Sequence, residues 1–193
     1  TRRPYYTKRI ILDPLKYSDP DGYYIVWERC CRNADVVNIN NISGTNVGMT
    51  YILEFPAVTK DGKIFENSSP RLFPPLSDYA CVGQLYYADF AGTDLDGDQL
   101  VYSLRTPLNS STNEPVPVPT PKPHNQITFA NGFTLETMVP GNPPLEISPE
   151  GFLTVNPTMT GLYVFSVLVE EYRQDIRIGQ VTRDFQMLVI DGC

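Results

Sequence analysis

The feature that most constrains this chain is the run of residues 93–104, Thr-Asp-Leu-Asp-Gly-Asp-Gln-Leu-Val-Tyr-Ser-Leu. Its first half places three carboxylates close together, at Asp94, Asp96 and Asp98, and Gly97 lets the backbone turn sharply between them. Its second half has apolar side chains at every second position, which is the periodicity of a β-strand. An acidic turn that leads directly into a strand predicts a calcium site at the end of a β-sandwich.

The acidic loop has two alternative interpretations. A plain solvated turn would have the same composition. An EF-hand fits poorly, because that motif needs Gly and Glu where this chain has Gln99 and Arg105. Weaker candidate calcium ligands lie elsewhere in the sequence, at Asp89, Glu170 and Glu171.

The composition of the 193 residues favours an all-β protein with a packed core. Hydrophobic residues make up 41% and charged residues 19% of the chain, and 18 Pro and 12 Tyr accompany few long helix-forming runs. The formal net charge of −7 argues against nucleic acid as a partner. The sequence has no run long enough to span a membrane and no signal peptide, so direct membrane insertion is not expected.

The chain begins at Thr1 without Met, and we interpret it as a fragment of a longer exported protein. Residues 1–66 have three candidate strands, at residues 8–12, 23–30 and 49–55. Three strands are few for a sandwich, so this part is predicted to be a partial or small β domain, the end of a preceding repeat. The alternative is an exposed sheet edge that accepts a strand from a partner.

A polar, Ser- and Pro-containing segment at residues 65–70 predicts the domain boundary, and residues 67–193 predict a complete sandwich. Residues 107–123 are rich in Pro and predict an extended surface loop, with docking to an aromatic groove as an alternative role. The predicted strands of this domain are residues 79–81, 85–90, 100–104, 126–129, 133–138, 145–147, 152–155, 162–172 and 177–190.

Short motifs along the chain resemble those of bacterial cadherin-like and immunoglobulin-like repeats. The acidic loop and its strand resemble the motif Asp-x-Asp-Gly-Asp-x-Leu-x-Tyr-Ser of these repeats. Further motifs of the resemblance occur in the expected order: Asn67-Ser-Ser-Pro70, Phe73-Pro-Pro75, Cys81-Val-Gly-Gln84, Gly151-Phe-Leu-Thr154, Asn156-Pro-Thr158, Gly161-Leu-Tyr-Val-Phe165, Glu170-Glu-Tyr-Arg173 and Arg183-Asp-Phe-Gln186.

Together with Trp27-Glu-Arg-Cys-Cys-Arg-Asn33, these motifs make the chain similar to large surface proteins of Bacteroidetes associated with gliding motility. The resemblance implies tandem immunoglobulin-like (cadherin-like) β-sandwiches at the extracellular surface of a bacterial cell. It implies a structural or adhesive role, export by the type IX route, and contacts with neighbouring repeats of the same chain or filament.

The four cysteines favour an oxidising compartment. Cys81 precedes the first turn of the predicted second domain, and Cys193 follows its last strand. In immunoglobulin-like sandwiches the first strand often runs parallel to the last, which would bring these two residues together. Their disulfide would stabilise the fold by about 4–5 kcal/mol in the chain-entropy description.

Cys30 and Cys31 are adjacent, and successive side chains of a strand face opposite ways. We therefore expect their disulfide partner to lie in strands that precede this fragment. A strained bridge between the two neighbours is a rarer alternative. A zinc site is also weaker, since the chain has no Cys-x-x-Cys pair and one His.

Enzymatic activity is not expected. His124 lies in the Pro-rich loop, Glu170 and Glu171 point to opposite faces of a strand, and no catalytic motif is present. Aromatic residues near the start favour a carbohydrate-binding module for surface glycans as the alternative function, unless they fill a core. The candidates are Tyr5, Tyr6, Tyr17, Tyr23, Tyr24 and Trp27, with Tyr23, Tyr24 and Trp27 as the main binding residues.

Overall fold

The structure is a computed structural model that describes residues 7–40, 47–74 and 79–193. Within these ranges all regular secondary structure is β-strand, mostly in antiparallel sheets, so the all-β prediction is confirmed. None of the described residues forms a helix that is long and apolar enough to cross a membrane.

The strands are numbered in chain order. They are β1 (Tyr23–Arg29), β2 (Met49–Phe55), β3 (Thr59–Lys60), β4 (Lys63–Ile64), β5 (Arg71–Leu72), β6 (Ala80–Cys81), β7 (Tyr86–Asp89), β8 (Gly92–Thr93), β9 (Gln99–Arg105), β10 (Glu146–Ile147), β11 (Phe152–Val155), β12 (Gly161–Arg173) and β13 (Ile176–Ile190).

The centre of the larger sheet is the hairpin formed by β12 and β13, of 13 and 15 residues. Its tip is Gln174-Asp175, both with positive φ (53° and 62°), which suits a tight hairpin turn. The sheet order is β1-β2-β13-β12-β9, and β6 runs parallel to the end of β13. All other neighbours in this sheet are antiparallel.

A smaller sheet of order β10-β11-β7 packs over the hairpin and encloses the main core, an arrangement consistent with a β-sandwich. Alternation along each strand turns one set of side chains inward. The most deeply buried members are Ala80, Ala88, Met138, Val139, Leu153, Val155, Tyr163, Val167, Val169 and Val189.

The larger sheet crosses the boundary that the sequence suggested between residues 66 and 67. Leu53 of β2 lies opposite Val181 of β13, so the early ribbon of β1 and β2 extends the later sheet. A second, smaller core joins Val36 and Ile39 to Val164 of β12. The division at residue 66 therefore does not separate two sheets. Of the two early strands that form, β1 pairs with β2, and β2 pairs with β13 near the end of the chain.

Three strand predictions were wrong. Residues 8–12 form no strand, and Ile11 is 82% exposed, because no neighbouring strand pairs with this apolar run in the described residues. Residues 133–138 form a turn in which the Thr134 hydroxyl bonds the Glu136 carboxylate and the Thr137 hydroxyl. Residues 126–129 make isolated bridges only. Two short pairs, β3 with β4 and β5 with β8, were not predicted.

The four cysteines form two disulfides. Cys81 joins Cys193 with a Cα–Cα distance of 6.1 Å, the pairing that was expected, because β6 lies parallel to the end of β13. The expectation for the other pair was wrong, since Cys30 and Cys31 are joined to each other. β1 ends at Arg29, so the alternation that would send the two side chains to opposite faces does not reach them.

A buried ion pair fastens the segment after β1 to the central hairpin. Arg32 donates from its two terminal nitrogens to the two carboxylate oxygens of Asp184, at 2.5 and 2.8 Å, and also to the carbonyl oxygen of Leu108 at 2.9 Å. The two side chains are 0% and 3% exposed. Burial raises the pKa of Asp184, while the guanidinium of Arg32 opposes that rise.

We expect Arg32→Ala to lower the free energy of unfolding by about 3–5 kcal/mol, because the carboxylate of Asp184 would stay buried without its partner. The matched control is Arg177→Ala, which removes a half-exposed guanidinium 3.6 Å from Glu54 and should cost less than about 1 kcal/mol. Urea unfolding of both variants measures the difference. Equal losses in the two variants would contradict the role given to the buried pair.

Candidate metal-binding site

The acidic loop between β8 and β9 folds around the side chain of Asp94. Its Oδ1 accepts hydrogen bonds from the backbone amides of Asp96 at 2.8 Å and Asp98 at 3.1 Å, which is typical of an Asx turn. Gly97 has φ of 80°, a left-handed conformation that glycine adopts without strain. The sequence therefore builds the turn locally and leaves Oδ2 of Asp94 available for other contacts.

Three carboxylates converge beside this turn. Asp94, Asp98 and Glu171 each offer an oxygen, and these oxygens all lie within 4.8 Å of one another. Glu171 comes from β12, where it lies between Leu100 of β9 and Gly179 of β13, next to a β-bulge. A Cβ atom on Gly179 would lie 2.8 Å from Oε2 of Glu171, so the missing side chain makes room for the carboxylate.

The cluster contains buried oxygens without partners. Oε1 of Glu171 and Oδ2 of Asp94 have no hydrogen-bond donor among the described residues, and Glu171 is 1% exposed. Buried carboxylate oxygens are almost always paired, because leaving them unpaired is costly. Burial raises the pKa of Glu171 to about 7, the side-chain amide of Asn67 opposes that rise, and the charges of Asp94 and Asp98 add to it. A cation at this point would supply the missing partner to both residues.

Arg173 is the positive charge already present beside the cluster. Its Nε and one terminal nitrogen donate to the two carboxylate oxygens of Asp98, both at 2.6 Å, and this pairing lowers the pKa of Asp98. Its other bonds reach the carbonyl oxygen of Glu66 at 3.0 Å and Oδ1 of Asn67 at 2.9 Å. The guanidinium also lies 4.8 Å from the ring centre of Phe65. Arg173 thereby joins the acidic loop to residues 65–67.

Three predicted ligands lie outside the cluster. Oδ2 of Asp96 accepts from the backbone amide of Ser68 at 2.5 Å and lies 3.7 Å from Arg173. Glu170 faces away from Glu171 and lies 3.8 Å from Arg177. Asp89 belongs to β7 in the smaller sheet, where its carboxylate accepts from the amide of Ala91 at 2.9 Å.

The donor set suits a hard divalent cation. It consists of carboxylate oxygens without thiol or imidazole, which favours calcium or magnesium over transition metals. Calcium takes six to eight oxygens in flexible arrangements, and protein carboxylates with water can provide them. With all groups ionised, four carboxylates (Asp94, Asp96, Asp98 and Glu171) face the single guanidinium of Arg173, so the surroundings remain strongly negative.

The three aromatic residues predicted to bind sugar do not form one platform. Trp27 is 56% exposed and stacks on Tyr51 with ring centres 5.3 Å apart. Tyr23 stacks on Phe55 at 5.8 Å. Tyr24 faces the opposite side of β1, where the ammonium group of Lys122 lies 4.8 Å from its ring centre. Tyr5 and Tyr6 lie outside the described residues.

Comparisons with protein-family models, curated proteins and solved structures find no match to this chain. The geometry of the cluster and the covalent structure therefore carry the functional argument.

The raised pKa of Glu171 predicts a pH dependence of stability in the presence of chelator. The folded state holds a proton on Glu171 up to a pH of about 7, whereas the ordinary value is 4.5. The contribution of this proton to the free energy of unfolding is complete below about pH 4.5. It is lost as the pH rises through about 7, which lowers the free energy of unfolding by about 3 kcal/mol. The lowered pKa of Asp98 has the opposite effect, because it stabilises the folded state above about pH 3.8. That contribution is lost only at lower pH, outside the range from pH 4.5 to 7.

Glu171→Gln should remove most of this fall in stability, because glutamine stays neutral at every pH. Urea unfolding at about pH 5 and about pH 8 measures the slope. Glu170→Gln, a neighbouring change on the opposite face of β12, is the control and should keep it. A slope that survives in Glu171→Gln would assign the titration to another group.

Proposed function

We propose that this chain is a structural and adhesive module of an exported bacterial surface protein. In this proposal the fold is an immunoglobulin-like (cadherin-like) β-sandwich, and the acidic cluster binds calcium. The observation that carries it is the buried, unpartnered Oε1 of Glu171, which faces Asp94 and Asp98. A site of this kind gives calcium a mechanical role in the module and no catalytic one.

Calcium at the cluster would tie three parts of the chain together. Glu171 belongs to the central hairpin, and Asp94 and Asp98 belong to the acidic loop. The same loop already holds residues 65–68 through Asp96 and Arg173. Neutralising the cluster removes repulsion among its carboxylates, and a stiffer module follows.

The covalent structure supports an extracellular location. All four cysteines are in disulfides, which persist in oxidising compartments. The more specific assignment, to Bacteroidetes surface proteins exported by the type IX route, depends on the motif resemblance described above.

The edge strand β1 supports contact with neighbouring repeats. Within the described part of the chain, β2 is the only strand that pairs with it, so one of its edges is open to another strand. Ile25 and Trp27 are exposed on one face of this ribbon. We propose that neighbouring repeats of the same chain or filament dock on this edge.

We expect calcium to raise the melting temperature and chelator to lower it. At free calcium 100 times the dissociation constant, the gain in unfolding free energy would be about 2.7 kcal/mol. Glu171→Gln should abolish most of the response, because it removes the charge of the most buried residue of the cluster. Thermal unfolding with and without calcium measures the shift.

Glu170→Gln is the matched control and should respond to calcium like the parent protein. An unchanged melting temperature with calcium and with chelator would refute the calcium site. A response that survives in Glu171→Gln and disappears in Glu170→Gln would move it to the opposite face of β12.

A further inference from the structure

A cavity of about 470 Å³ lies at the end of the larger sheet, next to the tip of the central hairpin. This volume is within the range of small-molecule sites. Four aromatic residues, Tyr23, Tyr24, Phe55 and Phe65, are among those that line it. The ring of Tyr23 is held in place, since its hydroxyl donates to the carbonyl of Lys16 and accepts from the amide of Asp19.

The charged groups of this cavity balance. Three cations line it, Lys60, Lys122 and Arg177, and so do three carboxylates, Asp21, Glu54 and Asp61. The carboxylate of Glu54 pairs with both Lys122 and Arg177. The wall therefore offers many hydrogen-bond donors and acceptors but no net charge, which suits a neutral ligand that is rich in hydroxyl groups.

A second cavity of about 440 Å³ adjoins the first, and the two share Glu54 and Lys122. Gln126, Gln180 and the guanidinium of Arg105 line it too, so the two cavities together carry one more cation than carboxylates. His124 also lines it, and neither of its ring nitrogens has a hydrogen-bond partner among the described residues. A bound hydroxyl group that reached one of these buried nitrogens would give it a partner.

The geometry points to a binding groove for a neutral oligosaccharide that spans both cavities. Sugar rings have apolar faces that pack on aromatic rings and hydroxyl groups that bond to paired ionic side chains, and this groove provides both. Two neighbouring cavities that share Glu54 and Lys122 in their walls fit a chain of sugar residues better than a single ring. Trp27, the most exposed aromatic residue of β1, lines neither cavity.

The groove is distinct from the acidic cluster. Gly179 lines the first cavity, and Glu171 lies behind it, so none of the three clustered carboxylates lines the groove. Oligosaccharide binding should therefore persist with chelator present. If calcium does not bind the acidic cluster, the oligosaccharide prediction is unaffected. If no oligosaccharide binds the groove, the calcium prediction is likewise unaffected.

The test is calorimetric titration in chelator with neutral hexasaccharides of glucose, mannose and xylose, and with trigalacturonate as the acidic comparison. We expect saturable binding of at least one neutral hexasaccharide. Tyr24→Ala should weaken it by about tenfold or more, since Tyr24 lines the first cavity and its ring packs against Lys122, which lines both. Trp27→Ala should change it by less than about twofold. Melting curves of each variant confirm folding, and Lys122→Ala replaces Tyr24→Ala if the latter does not fold.

Glu54→Gln tests the balance of charge directly. It leaves Lys122 and Arg177 without their shared carboxylate, so we expect weaker binding of the neutral sugar and stronger binding of trigalacturonate. The proposal is overturned if no neutral hexasaccharide binds, if only trigalacturonate binds to the parent protein, or if Trp27→Ala weakens binding as much as Tyr24→Ala.

Discussion

The long antiparallel pairing of β12 with β13 is the interaction on which the rest of the structure depends. One face of this hairpin supplies Tyr163, Val167 and Val169 to the main core. Its edges accept β9 and β2, and its end accepts β6. The same hairpin also carries Glu171 and Asp184, so these two buried carboxylates are held by its long antiparallel pairing.

The carboxylates of Asp184 and Glu171 differ in how their charges are compensated. Asp184 has a guanidinium bonded to both of its oxygens, so its charge is compensated inside the protein. Glu171 has two acidic neighbours and an unpartnered oxygen, and its nearest guanidinium is bonded to Asp98 instead. Burial without compensation is tolerated where a ligand supplies the missing charge, and this contrast separates the proposed site from the structural ion pair.

Local patterns located the longer strands but missed short ones, and they did not predict how the strands assemble. β2 and β11 have the predicted bounds, because alternation and turn residues mark both ends. The pairing of β2 with β13 joins residues far apart in the chain, and no local pattern encodes it. At the site, alternation shows that Glu170 and Glu171 face opposite ways. Glu171 is the one that faces inward, because Gly179 on the neighbouring strand leaves space for its carboxylate. The sequence alone does not show that these two residues are neighbours.

The bridge between Cys81 and Cys193 limits how far the chain can extend under a pulling force. A pull applied to the two ends of the chain passes from residue 81 directly through the disulfide to residue 193, which lies 112 positions later in the sequence. Residues 82–192 form a closed covalent loop that cannot be pulled out straight while the bridge is intact. β1 and β2 lie outside that loop and join β13 at the pairs Glu54 with Gln180 and Leu53 with Val181. Under load, the ribbon of β1 and β2 would separate from β13 first. The intact disulfide would then prevent further extension of the module.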